Sequence, residues 1–218
     1  MSARFGPDDL IACYRRGVFP MAESREAAQL FLVDPDWRGV LPLDRFHVPR
    51  RLARTVRGDG VRVGVNERFA EVIALCAEQR DNRDETWINS AIQGLYMELH
   101  RRGFAHSVEV WSEGALVGGL YGVALGGAFF GESMFSRARD ASKIALVHLA
   151  ARLKIGGFKL LDAQFWTAHL AQFGVEQIPR AQFKARLEKA LAIDADFLAA
   201  PASLSGQETM AALASRTA

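Results

Sequence analysis

Two apolar stretches of the chain carry polar groups that buried strands rarely hold. Residues 128–137 read AFFGESMFSR, with Glu132 and Ser133 inside a run fit for a buried strand and Arg137 at its end. Residues 158–165 read FKLLDAQF. Side chains alternate in direction along a strand, so Asp162 and Gln164 share a face, roughly 6–7 Å apart. An unpaired carboxylate inside a sheet is strongly unfavourable, which leaves two readings of Asp162 open. It caps a helix or pairs with an arginine and does no chemistry, or it works with Glu132. The residues between the two stretches can form a crossover helix, and such crossovers make their strands parallel neighbours. Glu132, Asp162 and Gln164 then converge near the carboxyl ends of adjacent strands, a usual place for a cleft. With Leu120, Phe129, Phe130 and Leu161 around them, they suggest a pocket for an apolar group beside a cation.

The elements that must position these groups follow from hydrophobic period and from stop signals. Residues 7–16 read as a helix, with Pro7 and two acids at its start, two arginines near its end and Gly17 beyond. Residues 30–43 are strand–turn–strand material with Asp34-Pro35-Asp36 as the turn. Residues 48–58 form an amphipathic helix: Val48, Leu52 and Val56 line one face, while Arg50, Arg54 and Arg57 line another. A short strand at 61–65 leads to a helix capped by Asn66 and running to about Gln79. The polar turn RDNRDE (80–85) and Trp87 precede a helix near 90–102. Three strand candidates, HSVEVW, ALVGGLYGVAL and GAFFGESMF, are joined by Gly-bearing turns and read as an antiparallel meander. A helix from Asp140 to Ile155, the strand at 158–165 and a helical region to about Leu191 complete the pattern. The Ala- and Ser-rich tail after Asp196 is expected to fray.

The 218 residues balance 27 basic against 25 acidic side chains, yet 22 of the 27 are arginine. Between Trp37 and Phe69, eight arginines face three acids, which reads either as a solvated face or as a phosphate-binding one. Cys13 and Cys76 stand alone, and the five histidines show no metal-ligand spacing, so neither metal nor cofactor is expected. No signal-like N-terminus and no run near 18 apolar residues occurs, so a reduced, soluble, cytoplasmic protein with no membrane partner is expected.

This order of elements is an α+β plan with a mixed sheet flanked by helices, the plan of the GNAT acyltransferases. A small N-terminal α/β part is expected over residues 1–45, the GNAT-like domain over 46–195 and a flexible tail over 196–218. GNAT acetyltransferases bind the pyrophosphate of coenzyme A on a turn patterned [QR]-x-x-G-x-[GA]. The corresponding turn here, SRARDASK (136–143), has Asp140 at the glycine position, where its charge would repel a phosphate. A CoA-dependent N-acyltransferase is the alternative reading, and Asp140 counts against it.

The segments YRRGVFPM (14–21), DETWI (84–88), FAHSVEVW (104–111), 116–146 with its GESMFSR, and 160–180 with its LDAQ closely resemble the leucyl/phenylalanyl-tRNA–protein transferase family, over about residues 8–190. The resemblance implies transfer of Leu, Phe or, less well, Met from aminoacyl-tRNA to proteins with N-terminal Arg or Lys, marking them for N-end-rule degradation. By the family's pattern, Asp162 orients Gln164, whose carbonyl holds the attacking amine, and Glu132 recognises the cationic first residue of the acceptor. Leu120, Phe129 and Leu161 are expected to wall the donor side chain. Trp87 is expected to pack on the terminal adenosine, or to be core, and the Arg50, Arg54, Arg57 stripe to touch the acceptor-stem backbone. Where many members carry Trp-Trp-Ser-Pro, this chain has FLVDP (31–35).

Overall fold

The computed structural model of the chain describes residues 5–22, 24, 30–78 and 87–215. Helix α1 (Pro7–Arg15) starts with Pro7 and two acids in its first turn and ends before Gly17, whose φ of 78° suits only glycine well. Strand β1 (Phe19–Ala22) pairs antiparallel with β2 (Leu30–Val33) as a two-stranded sheet, and β3 (Trp37–Leu41) follows. Then come α2 (Arg50–Arg57), β4 (Arg62–Val65), α3 (Phe69–Cys76) and α4 (Ser90–Arg101). The meander is β5 (Ala105–Ser112), β6 (Ala115–Leu125) and β7 (Ala128–Ser136). Helix α5 (Ala141–Ile155) crosses over to β8 (Leu160–Gln164), followed by α6 (Ala168–Ala171), β9 (Glu176–Pro179), α7 (Arg180–Leu191) and α8 (Gly206–Ala214).

Strands β4 to β9 and β3 form one seven-stranded sheet in the order β4-β5-β6-β7-β8-β3-β9. All neighbours are antiparallel except β7 and β8, which the α5 crossover makes parallel, as expected. Each face of this sheet buries a core. One holds Leu10, Tyr14, Ile73, Tyr96, Phe130 and Phe183, under α1, α3, α4 and α7. The other holds Leu52, Phe129, Leu149, Leu161 and Phe173, with α2, α5 and α8 packed together beside it. The mixed α+β sheet flanked by helices is therefore present, and no helix among the described residues is long and apolar enough to cross a membrane.

Several expectations need correction. Strand β3 does not pair with β2, as strand–turn–strand material over 30–43 suggests; it is an inner strand of the large sheet, between β8 and β9. Strands β1 and β9 escape a reading by pattern because each has four residues and a proline, too little for a period-two signal. Asn66 caps no helix: it sits at φ 58° and its Oδ1 accepts from the Ser107 backbone N–H at 2.9 Å, while Arg68 holds the cap position of α3. The RDNRDE turn lies outside the described residues. The stretch after 196 carries α8, opened by a Ser205–Glu208 capping box. It is held against α5 by Arg152, which donates to the carbonyls of Phe197, Ala200 and Pro201, and by Lys154, which donates to those of Leu213 and Ser215. An Ala/Ser composition conceals such anchors because the bonds are made by its backbone.

Candidate active site

The parallel pairing of β7 with β8 ends at Phe130 opposite Asp162, while β7 continues beside β6 as far as Ser136. Beyond that point a cavity of about 450 Å³ lies between the two strands. Both are irregular where they border it. Between β6 and β7 the register passes from Gly122 opposite Gly131 to Tyr121 opposite Ser133, so Glu132 is the extra residue of a bulge. Between β3 and β8, Val40 faces Asp162 and Gly39 faces Gln164, which leaves Ala163 as the extra residue. Gln164 then takes φ 62°, uncommon for a residue with a side chain. Gly39 makes room for this ending: a Cβ there would lie 2.6 Å from the carbonyl carbon and oxygen of Phe165.

The bulge explains how an apolar strand carries a glutamate. Glu132 is released from the alternation and turns to a cluster of donors: the Tyr14 hydroxyl donates to its Oε1 at 2.7 Å, the Tyr96 hydroxyl to its Oε2 at 2.8 Å, and Gln164 Nε2 to Oε1 at 3.0 Å. The two tyrosine oxygens are themselves 2.5 Å apart. With its amide nitrogen committed to a carboxylate, Gln164 presents its carbonyl oxygen as an acceptor, and no donor among the described residues reaches it. Burial pushes the Glu132 carboxyl up to about 7, against the three donors, and the nearby Asp162 charge adds to the rise. Burial first, and then the Glu132 charge, hold both tyrosines well above their ordinary range, so both remain protonated donors.

Asp162 is fully buried and is paired with an arginine. Arg38 Nε and Nη2 donate to its two oxygens at 2.8 and 2.6 Å, and the Gln164 backbone N–H donates to Oδ1 at 2.9 Å. Both readings of the residue thus meet: it has its arginine, and it touches the backbone of Gln164. The cavity is polar at Glu132 and Gln164. Its remaining wall is largely apolar, built from Leu41, Leu120, Met134, Leu146, Leu149 and Leu161. Of the residues expected at a site, the structure brings together Glu132, Asp162, Gln164, Leu120, Leu161 and the half-buried Trp87. Phe129 is not with them: it is buried on the α5 side, stacked on Phe197 and edge-on to Phe158, and Met134 with the α5 leucines takes its place. Arg50, Arg54 and Arg57 are exposed on α2 as expected, and none of them lines the cavity.

Sequence reasoning missed Tyr14, Tyr96 and Arg38 as site residues, since they lie 118, 36 and 124 positions from the groups they hold. The available signal was weak. Tyr14 opens YRRGVFPM, and Arg38 is the second residue of β3, beside Gly39. No group of three His, Cys, Asp or Glu that could hold a metal occurs among the described residues. A more open cleft of about 580 Å³ lies near β4, but its Arg62 and Glu67 are paired with each other at 2.6 Å.

A family model described as leucyl/phenylalanyl-tRNA protein transferase matches residues 40–188, and one for that protein's N-terminal domain matches residues 4–36. The leucyl/phenylalanyl-tRNA–protein transferase of Hyphomonas neptunium is 66% identical over 197 residues, 90% of this chain and 76% of its own. That of Phenylobacterium zucineum is 63% identical over 197 residues, 90% of this chain and 89% of its own. That of Caulobacter vibrioides is 60% identical over 213 residues, 98% of either chain.

Proposed function

The chain belongs to the leucyl/phenylalanyl-tRNA–protein transferase family, and we propose that it moves Leu, Phe or, less well, Met from aminoacyl-tRNA to the α-amino group of proteins beginning with Arg or Lys. Aminoacyl transfer from tRNA to protein follows from the family. The choice of donors and acceptors, the marking of the product for N-end-rule degradation and a cytoplasmic setting are our reading. The observation that carries it is a single cavity lined both by a carboxylate and an amide side chain and by a wall of leucines.

The reaction needs little from the protein beyond placement. The donor is an activated ester, and the acceptor amine has an unperturbed pKa of about 8, so a useful neutral fraction exists near pH 7. Its nitrogen attacks the ester carbonyl, a C–N bond forms, and the bond to the tRNA 3′ oxygen breaks as that oxygen takes up a proton. Gln164 Oε1 accepts a hydrogen bond from the amine and aims its lone pair, the kind of orientation that lowers barriers most in such a step. An amide is too weak a base to remove the proton outright, so a ribose hydroxyl of the tRNA completes the shuttle. Glu132 faces the cationic side chain of the acceptor. Leu120, Leu161 and the other leucines receive the donor side chain. Trp87, at the rim, offers a face to the terminal adenosine, and the α2 arginines hold the acceptor-stem phosphates without reading sequence. In this reading the small N-terminal part carries Tyr14 to the site.

A CoA-dependent reading gains nothing from the turn before α5. Asp140 sits there at the N-cap with φ 60°, its carboxylate held by Lys143 at 2.9 Å, where a pyrophosphate would have to lie. Transfer of labelled leucine from Leu-tRNA to a peptide beginning with Arg, beside the same peptide beginning with Asp, tests the proposal. Label on the Arg peptide alone is expected; label on neither refutes it.

A further inference from the structure

Arg38 lies between the two matched family ranges, and the mechanism above gives it no task. It is nonetheless among the largest fully buried side chains, 1% exposed, on β3 between β8 and the edge strand β9. Its guanidinium lies over the rings of Phe19 on β1 and Phe183 on α7, at 4.6 and 4.5 Å, so one strand and one helix hold its plane. The fork formed by Nε and Nη2 meets both oxygens of Asp162, while Nη1 has no hydrogen-bond partner among the described residues. The pairing is thus directed wholly at Asp162. Asp162 Oδ1 in turn holds the backbone N–H of Gln164 at the residue where the chain turns left-handed, and that turn aims the Gln164 side chain at Glu132.

We propose that Arg38 is a positioning residue for the transfer reaction: it anchors Asp162 as a fixed acceptor whose task is to hold the left-handed turn at Gln164. Asp162 then acts through geometry and takes no part in moving the proton. An uncharged group able to accept from the Gln164 N–H can replace it, provided that the arginine is replaced too. This inference rests on the transferase reading for its kinetic consequence, and on the structure alone for the turn.

The test is a double-mutant cycle of Arg38→Met and Asp162→Asn, read in three ways: kcat and KM for leucyl transfer, thermal denaturation, and the backbone amide resonance of Gln164. Arg38→Met leaves a buried carboxylate unpaired, and Asp162→Asn turns an amide donor toward the guanidinium. Each single variant should lose about a hundredfold in kcat, the scale of a misplaced reacting group, with KM for Leu-tRNA little changed. The double variant removes both conflicts and keeps the amide oxygen of Asn as acceptor, so it should regain at least about tenfold over Arg38→Met. Its Gln164 resonance should return toward the parent position. A folded double variant as inactive as the single ones overturns the proposal, because charge on Asp162 would then be needed for chemistry. So does Arg38→Met with parental kcat or an unmoved Gln164 resonance. Should Arg38→Met fail to fold, the double variant decides alone. A parent enzyme that transfers no leucine refutes the transferase reading, and the Gln164 resonance still decides the anchor.

Discussion

Burial raises the Glu132 carboxyl to about 7 even though three donors favour its charged form. The folded value lies above the ordinary one of 4.5, so this group favours the folded state below about pH 4.5 and weakens it as pH rises through about 7. Recognition of a cation runs the other way, since only the ionised carboxylate attracts it. Glu132→Gln should therefore gain thermal stability relative to the parent as pH is raised from about 5 to about 8.5, by on the order of 3 kcal/mol at most. Denaturation midpoints across that range check this; a gap that does not change with pH contradicts it. Transfer to Arg peptides should fall as pH drops below about 7, and Tyr14→Phe should move that fall to higher pH, because it removes a donor that favours the charged form. The pH profile of kcat/KM reads both. Glu132, Asp162 and Gln164 are legible in the sequence because polar types in apolar strands demand an explanation. Tyr14, Tyr96 and Arg38 are not, because nothing local in a sequence shows which distant tyrosine or arginine will satisfy a buried carboxylate.

Elements place these groups through irregularity. A regular β7 would keep Glu132 in strict alternation, and a regular β8 would give Gln164 an ordinary strand conformation; bulges at Glu132 and Ala163 prevent both. The meander, the crossover and the parallel pair can be read from hydrophobic period, but a bulge changes no residue type and leaves no periodic trace. Gly39 is where the element scale can be tested. Gly39→Ala should force the end of β8 outward, costing about 1–3 kcal/mol in stability and lowering kcat beyond what that loss explains; steady-state kinetics on the folded variant decide. The segment after Asp196 resists a reading by composition for a related reason, since its hold on α5 is made by buried Arg152 and Lys154 reaching its carbonyls. His106 stacks on Phe197 and His148 bonds Thr209, and burial holds both imidazoles down at about 4. Their neutral forms support the fold above about pH 6.5, and that support is lost as pH falls toward about 4. Deleting residues 197–218 should therefore lower the melting temperature, by about 2–4 °C for each kcal/mol lost, and should weaken the difference in stability between pH 7 and pH 5.

Across the whole molecule, one sheet separates two cores, and the cavity forms where β7 and β8 part. Its leucine-lined wall draws on α5, while its carboxylate is held by tyrosines of α1 and α4. That division suits a reaction joining an apolar aminoacyl group to a cationic chain end. The α2 arginines should act outside the cavity: neutralising Arg50, Arg54 and Arg57 together should weaken tRNA binding and lower its salt slope by about 0.7–0.9 for each phosphate no longer paired with a cation, with kcat at saturating donor unchanged. An unaltered slope places the tRNA site on another surface. Recognition of the acceptor turns on its charge. It is tested most directly by comparing kcat/KM for a peptide beginning with Arg and one beginning with citrulline, its uncharged near-isostere, in the parent enzyme and in Glu132→Gln. The parent should prefer Arg by about tenfold to a hundredfold, and the variant should bring the two peptides to near equality. A preference for Arg that survives the loss of the Glu132 charge would contradict it.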